Sequence, residues 1–165
     1  MLLALPALTF AQACTSIPEG YMPMNNLDAV STAVKYINWD ERQQRDEIKA
    51  FTGVDPVRTE WCAAFLNAVL EESGTPSIAS MGHEHPLLAR SYLEWGVEVE
   101  FPLPGDVVIF PRGTEGWQGH VGIFIEQREI NGEQYYMILG GNQDNTVSIA
   151  PYRANRKLGI RRFSI

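Results

Sequence analysis

Hydrophobic positions recur at helical spacing through the first half of the chain and alternate at strand spacing through the second. In residues 26–38, Leu27, Val30, Val34 and Ile37 share one face and predict a helix. Residues 40–52 predict a second, more solvated helix opened by Asp40 and broken by Gly53 and Pro56. In residues 59–74, TEWCAAFLNAVLEESG, the positions Cys62, Phe65, Leu66, Val69 and Leu70 form one helical stripe. Thr59 offers an N-cap hydroxyl, and Gly74 a left-handed end. LLARSYLEWG, residues 87–96, predicts a short helix closed by Gly96. After Pro102, Pro104 and Gly105 the period changes. Strands are expected at 106–110, 120–127, 134–141, 146–152 and 158–163, with a hairpin turn at Asn131-Gly132. No segment repeats. Helices followed by an antiparallel meander predict an α+β fold, with N-terminal helices packed on an antiparallel β-sheet.

At 165 residues, 45% hydrophobic and 20% charged, the composition is that of a globular chain with a single core. The net charge of -7 argues against nonspecific nucleic-acid or anionic-membrane partners. The basic run RANRKLGIRR at the C-terminal end reads as a solvated strand and turn. MLLALPALTFAQA, residues 1–13, has the apolar run and the small-x-small ending of a secretion signal, without a basic start. It is too short to span a membrane. Residues 14–25 read as a linker or arm, leaving one domain at 26–165 in an exported, periplasmic or extracellular protein. Cys14 directly behind the leader raises a lipid anchor as an alternative; Ala11, where such signals carry leucine, argues against it.

Cys62 would sit in the first turn of its helix, facing inward. The partial positive charge there lowers a thiol pKa and favours a nucleophilic thiolate. The alternative is a small buried hydrophobe. A nucleophilic cysteine needs a base and a group that orients the base. His120 follows the glycine-containing loop EGWQG, where Gly119 lets a substrate backbone come close. With the turn centred on Asn131-Gly132, residues whose numbers sum to about 263 face each other. His120 then faces roughly residue 143, which puts Asn142, the candidate orienter, beside it. Glu60 and Asp106 are alternative polar members, although Asp106 follows Pro104-Gly105 and fits a turn-organising role. Trp61 and Trp117 flank Cys62 and His120 and could wall a groove, or could pack in the core. His83-Glu84-His85 has metal-ligand character but no partner at a known spacing, so a surface loop is the expectation and no metal is assigned.

Four ordered blocks, WCAAFLN, PLPGDVVIF, GHVGIF and LGGNQDNTVSI, resemble the CHAP and NlpC-type cysteine hydrolases, nearest to a small bacterial and phage CHAP-like group. The resemblance runs from about residue 55 to residue 163. It implies a papain-like fold, with the nucleophile at the start of the central helix. It further implies amide cleavage in peptidoglycan by a muramoyl-alanine amidase or a peptide endopeptidase. Cys62 would be the nucleophile, His120 the base and Asn142 the third member. Many CHAP domains place a glutamate two residues before that asparagine; Gly140 stands here. The implied partner is peptidoglycan or its stem peptides, with no cofactor and a monomeric enzyme. The alternatives are a catalytically silent wall-binding module of the same fold, and a cysteine amidase or toxin acting on another amide.

Overall fold

The computed structural model describes residues 27–164; the expected leader, the arm and Cys14 lie outside them. Three helices come first, α1 (Leu27–Ala33), α2 (Arg45–Thr52) and α3 (Cys62–Glu72). Six strands follow, β1 (Val97–Glu98), β2 (Val107–Pro111), β3 (Gly119–Ile130), β4 (Glu133–Gln143), β5 (Thr146–Arg153) and β6 (Gly159–Arg162). The strands form one sheet in the order β1-β6-β2-β3-β4-β5, with every pairing antiparallel. The architecture is α+β, as the pattern predicts.

The helices are shorter than their apolar periods. Residues 34–36 and 89–94 tighten into 3-10 turns. Asp40 does not open α2. Its Oδ1 accepts the N–H groups of Arg42 and Gln43 at 2.9 and 3.0 Å, which closes a turn ahead of the helix. Gly53 ends α2 in the left-handed conformation, φ 77°. The hairpin turn is as expected, since Asn131 and Gly132 both have positive φ, as a type I′ turn requires.

α3 is buried almost all round. Beyond the predicted stripe, Ala63, Ala64 and Asn67 are also enclosed. The small alanines admit neighbours on the flank. Asn67 is satisfied by donating to the Pro86 carbonyl at 2.9 Å and accepting the Tyr92 hydroxyl at 2.6 Å. One face of the sheet, through Val107, Ile109, Val121, Ile123 and Leu139, packs on this helix. The other face carries a smaller cluster of Val108, Phe110, Phe124, Tyr136, Ile138 and Ile160. Among the described residues no helix is long and apolar enough to cross a membrane.

Strands β2 to β5 form the expected meander, but β6 does not extend it. It returns to the far edge of β2, where Val108 pairs with Ile160, and β1 then pairs with β6. Two residues of strand carry no alternation, so β1 had no sequence signature. An ion pair closes this end of the sheet. Arg162 Nε donates to Asp106 Oδ1 at 2.8 Å and Arg162 Nη2 to Oδ2 at 2.7 Å. Oδ2 also accepts the Leu103 N–H at 2.7 Å, so Asp106 organises the turn into β2 as well as the docking of β6.

With both side chains nearly enclosed, Asp106→Ala is expected to cost about 3 kcal/mol of stability, read as a lower urea midpoint. An unchanged midpoint would show that the fork does not hold β6.

Candidate functional site

The site forms where the sheet opens. A bulge between Phe124 and Glu126 shifts the β3–β4 register, and the pairing ends at Ile123–Leu139. The β4–β5 register breaks between Gly140 and Gln143, where Asn142 takes a positive φ of 56°. The start of α3 fits against this break. A Cβ on Gly141 would lie 2.6 Å from Trp61 Cζ3 and 2.7 Å from Phe65 Cβ. Only glycine permits that approach.

Cys62 is the first residue of α3, a free thiol and only 3% exposed. Burial pushes the Cys62 thiol above its ordinary pKa. The backbone of Val121 and Ala63 and the charge of Arg112 pull the other way. Desolvation outweighs them, and nearby Glu60 adds to the rise. The thiolate expected from the helix terminus alone is therefore not the resting form.

His120 is 2% exposed. Its ring stacks on Tyr152 at 5.1 Å and 10°, and Tyr152 stacks on Phe110 at 4.7 Å. His120 Nε2 lies 3.0 Å from Gln143 Oε1. The Gln143 amide nitrogen donates to the carbonyls of Ser148 at 2.6 Å and Ile138 at 3.2 Å. Those two acceptors turn the Gln143 oxygen toward the ring. His120 Nε2 must then carry the hydrogen, and Nδ1 keeps the lone pair. Nδ1 is buried with no hydrogen-bond partner among the described residues. Burial, reinforced by Arg112 and opposed by the Gln143 bond, lowers the His120 pKa to about 4. The imidazole is neutral at physiological pH.

Asn142 is not its partner. The Asn142 amide donates to Glu60 Oε2 at 2.6 Å, and Glu60 also faces Arg112 at 3.5 Å. The break in the β4–β5 register accounts for the difference. Asn142 sits in it with positive φ and turns to Glu60, so the orienting oxygen comes from Gln143. A Cβ at Gly140 would make only ordinary contacts, with Val121 O at 3.4 Å and Gln143 Cδ and Oε1 at 3.5 Å, so the amide that holds the histidine does not demand a glycine there.

Of the three expected groove residues, Trp61 is a correction. It is fully buried and packs edge-on against Phe65 at 6.1 Å, because the close approach at Gly141 draws it into the core. Trp117, 60% exposed, and Gly119 do line a cavity of about 310 Å³, together with Glu60, Leu88, Ala89, Arg112 and Gly113. Arg112, which the sequence did not single out, acts electrostatically on both Cys62 and His120. The histidines of the 83–85 loop stay local: His83 Nδ1 accepts the His85 N–H at 3.0 Å and Nε2 meets Glu94 at 3.3 Å. No protein-family model matches this chain, and a search of curated proteins finds no significant relative.

Two outcomes follow from the burial of the pair. Cys62 is expected to react with iodoacetamide only above about pH 8.5 in the native protein, and faster once unfolded. Rapid native labelling well below pH 8 would show a thiolate instead. Because folded His120 titrates below its unfolded value, the unfolded chain takes up this proton first as pH falls. Stability should therefore decline from about pH 6.5 to about pH 4, by up to about 3 kcal/mol, and His120→Phe should remove that part of the slope. An unaltered slope in His120→Phe would show that the imidazole is not the group responsible.

Proposed function

We propose that this chain is an exported peptidoglycan hydrolase that cuts an amide bond through Cys62 on a papain-like scaffold. One observation carries the proposal: a buried, neutral histidine whose Nε2 is tied to Gln143 and whose Nδ1 has no hydrogen-bond partner among the described residues. A buried acceptor without a donor is costly in a purely structural role and is characteristic of a reacting group.

The chemistry follows from the protonation states. With a neutral thiol and a neutral imidazole, His120 Nδ1 takes the thiol proton as the sulfur attacks the substrate carbonyl. The tetrahedral oxyanion lies against N–H groups at the start of α3. Its collapse breaks the C–N bond, and the imidazolium returns the proton to the leaving amine. Water then adds to the thioester, giving its proton to Nδ1, and the carboxylic acid and thiol are regenerated. Gln143 holds the ring and accepts from Nε2 throughout. The chain's own residues perform every step without a metal or a cofactor. Export is supported by the apolar leader at residues 1–13, and cell-wall amides by the four sequence blocks.

Purified sacculi incubated with the protein are expected to release muropeptides, identified by mass spectrometry, and Cys62→Ala to release none. Gln143→Leu should lower kcat more than Asn142→Leu. Equal release from wild type and Cys62→Ala would remove the nucleophile assignment. Release from neither would favour a silent module, or, if a small peptide amide is still cut, an amidase of other substrates.

A further inference from the structure

The 310 Å³ cavity lined by Glu60 and Gly119, near neighbours in sequence of Cys62 and His120, holds a cation that the hydrolytic steps do not use. Arg112 follows β2 and is partly exposed. Among the described residues its single charged contact is Glu60, at 3.5 Å, too long for a full-strength hydrogen bond. Glu60 is satisfied elsewhere, because it accepts the Asn142 amide at 2.6 Å. The planar guanidinium thus faces the cavity with most of its donors unused, and the carboxylate opposite can release it without being left unpaired.

The segment that presents Arg112 is built to hold still. Gln118 Oε1 accepts the N–H groups of Thr114 and Glu115 at 2.8 and 2.9 Å. Arg90 Nε donates to the Gln118 carbonyl at 2.7 Å. Gly113 has φ +68°, and a Cβ there would come within 2.0 Å of Gln118 Oε1, so the loop closes tightly on that amide. Trp117 stands on the same loop as a broad exposed apolar surface, and Leu88 and Ala89 add an aliphatic wall. The cavity therefore combines a fork of N–H donors with apolar walls, and Gly119 lines it as well.

From this arrangement we infer that Arg112 determines specificity: the enzyme selects substrates that carry a free carboxylate on the residue beside the scissile amide, gripped by Arg112 while Trp117 covers the adjoining aliphatic part. The inference rests on the proposed hydrolase function and names the substrate class of that same site. Binding displaces Glu60 from Arg112 and leaves it on Asn142. A carboxamide in place of the carboxylate cannot accept both guanidinium donors and keeps Glu60 in place.

The test separates recognition from turnover. The stem peptide released from sacculi, with its glutamate carboxyl free or converted to the amide, is titrated into Cys62→Ala by calorimetry. The acid is expected to bind about ten- to a hundredfold more tightly than the amide. Arg112→Gln in the same background should bring the two together, and Arg112→Lys, which keeps the charge but not the fork, should fall between. Equal affinity for acid and amide in Cys62→Ala, or binding of neither, overturns the inference even if sacculi are cut. A clear acid preference that survives in a folded Arg112→Gln also overturns it. If Arg112→Gln does not fold, the acid-over-amide ratio and the Arg112→Lys value still decide. Failure of the hydrolase proposal is read separately, from sacculi with wild type and Cys62→Ala.

Discussion

The contact between Gly141 and the start of α3 is the constraint on which the site depends. At most points along a sheet a helix is held off by side chains standing on the strands. Here the strand carries no side chain, and the rings of Trp61 and Phe65 occupy the space a Cβ would need. That approach can occur because β4 leaves its ladder with β3 beyond Ile123–Leu139. Beyond that pair, Val121 on β3 has no partner on β4, and its backbone acts on the Cys62 thiol. One glycine and one register break thus bring a helix N-terminus to the buried end of a strand pair. The same close packing excludes water, which raises the thiol pKa and depresses that of the imidazole.

Burial gives the pair a character that neither residue has by itself. A helix terminus favours a thiolate, but its stabilisation is small against full desolvation of a charge. Both groups rest neutral, and Gln143 fixes which ring nitrogen of His120 carries the hydrogen. The Gln143 amide nitrogen is committed to two carbonyls of the β4–β5 hairpin, so its oxygen is committed to the ring. The tautomer of His120 is therefore set by main-chain acceptors on strands that do not themselves touch the sulfur.

Charge around the pair is arranged in two tiers. Asp106 and Arg162 form an enclosed fork that ties β6 to the turn before β2, a structural use of opposite charges. Glu60 and Arg112 form a loose, exposed pair at the cavity beside the pair of reacting groups. The tight pair contributes to the fold; the loose pair leaves the guanidinium at the cavity edge with only a 3.5 Å contact to Glu60. Asp106 had been a candidate for either role, and its burial with Arg162 decides for the first.

Residue pattern alone determined the class of fold, because period and punctuation are local properties. The change from helical to alternating spacing at Pro102–Gly105, the Asn131-Gly132 turn and the stripe on α3 all depend on near neighbours in the chain. It also singled out Cys62 and His120, whose residue types sit at the start of a helix and of a strand. Tertiary structure decided what depends on long-range packing: the return of β6 to β2, the burial of Trp61, and the partner of the histidine. Asn142 and Gln143 are adjacent in sequence and equally able to accept from an imidazole. The register break between Gly140 and Gln143, with Asn142 at positive φ, turns one toward Glu60 and the other toward His120, and the side chain that reaches the ring follows from that break rather than from residue type.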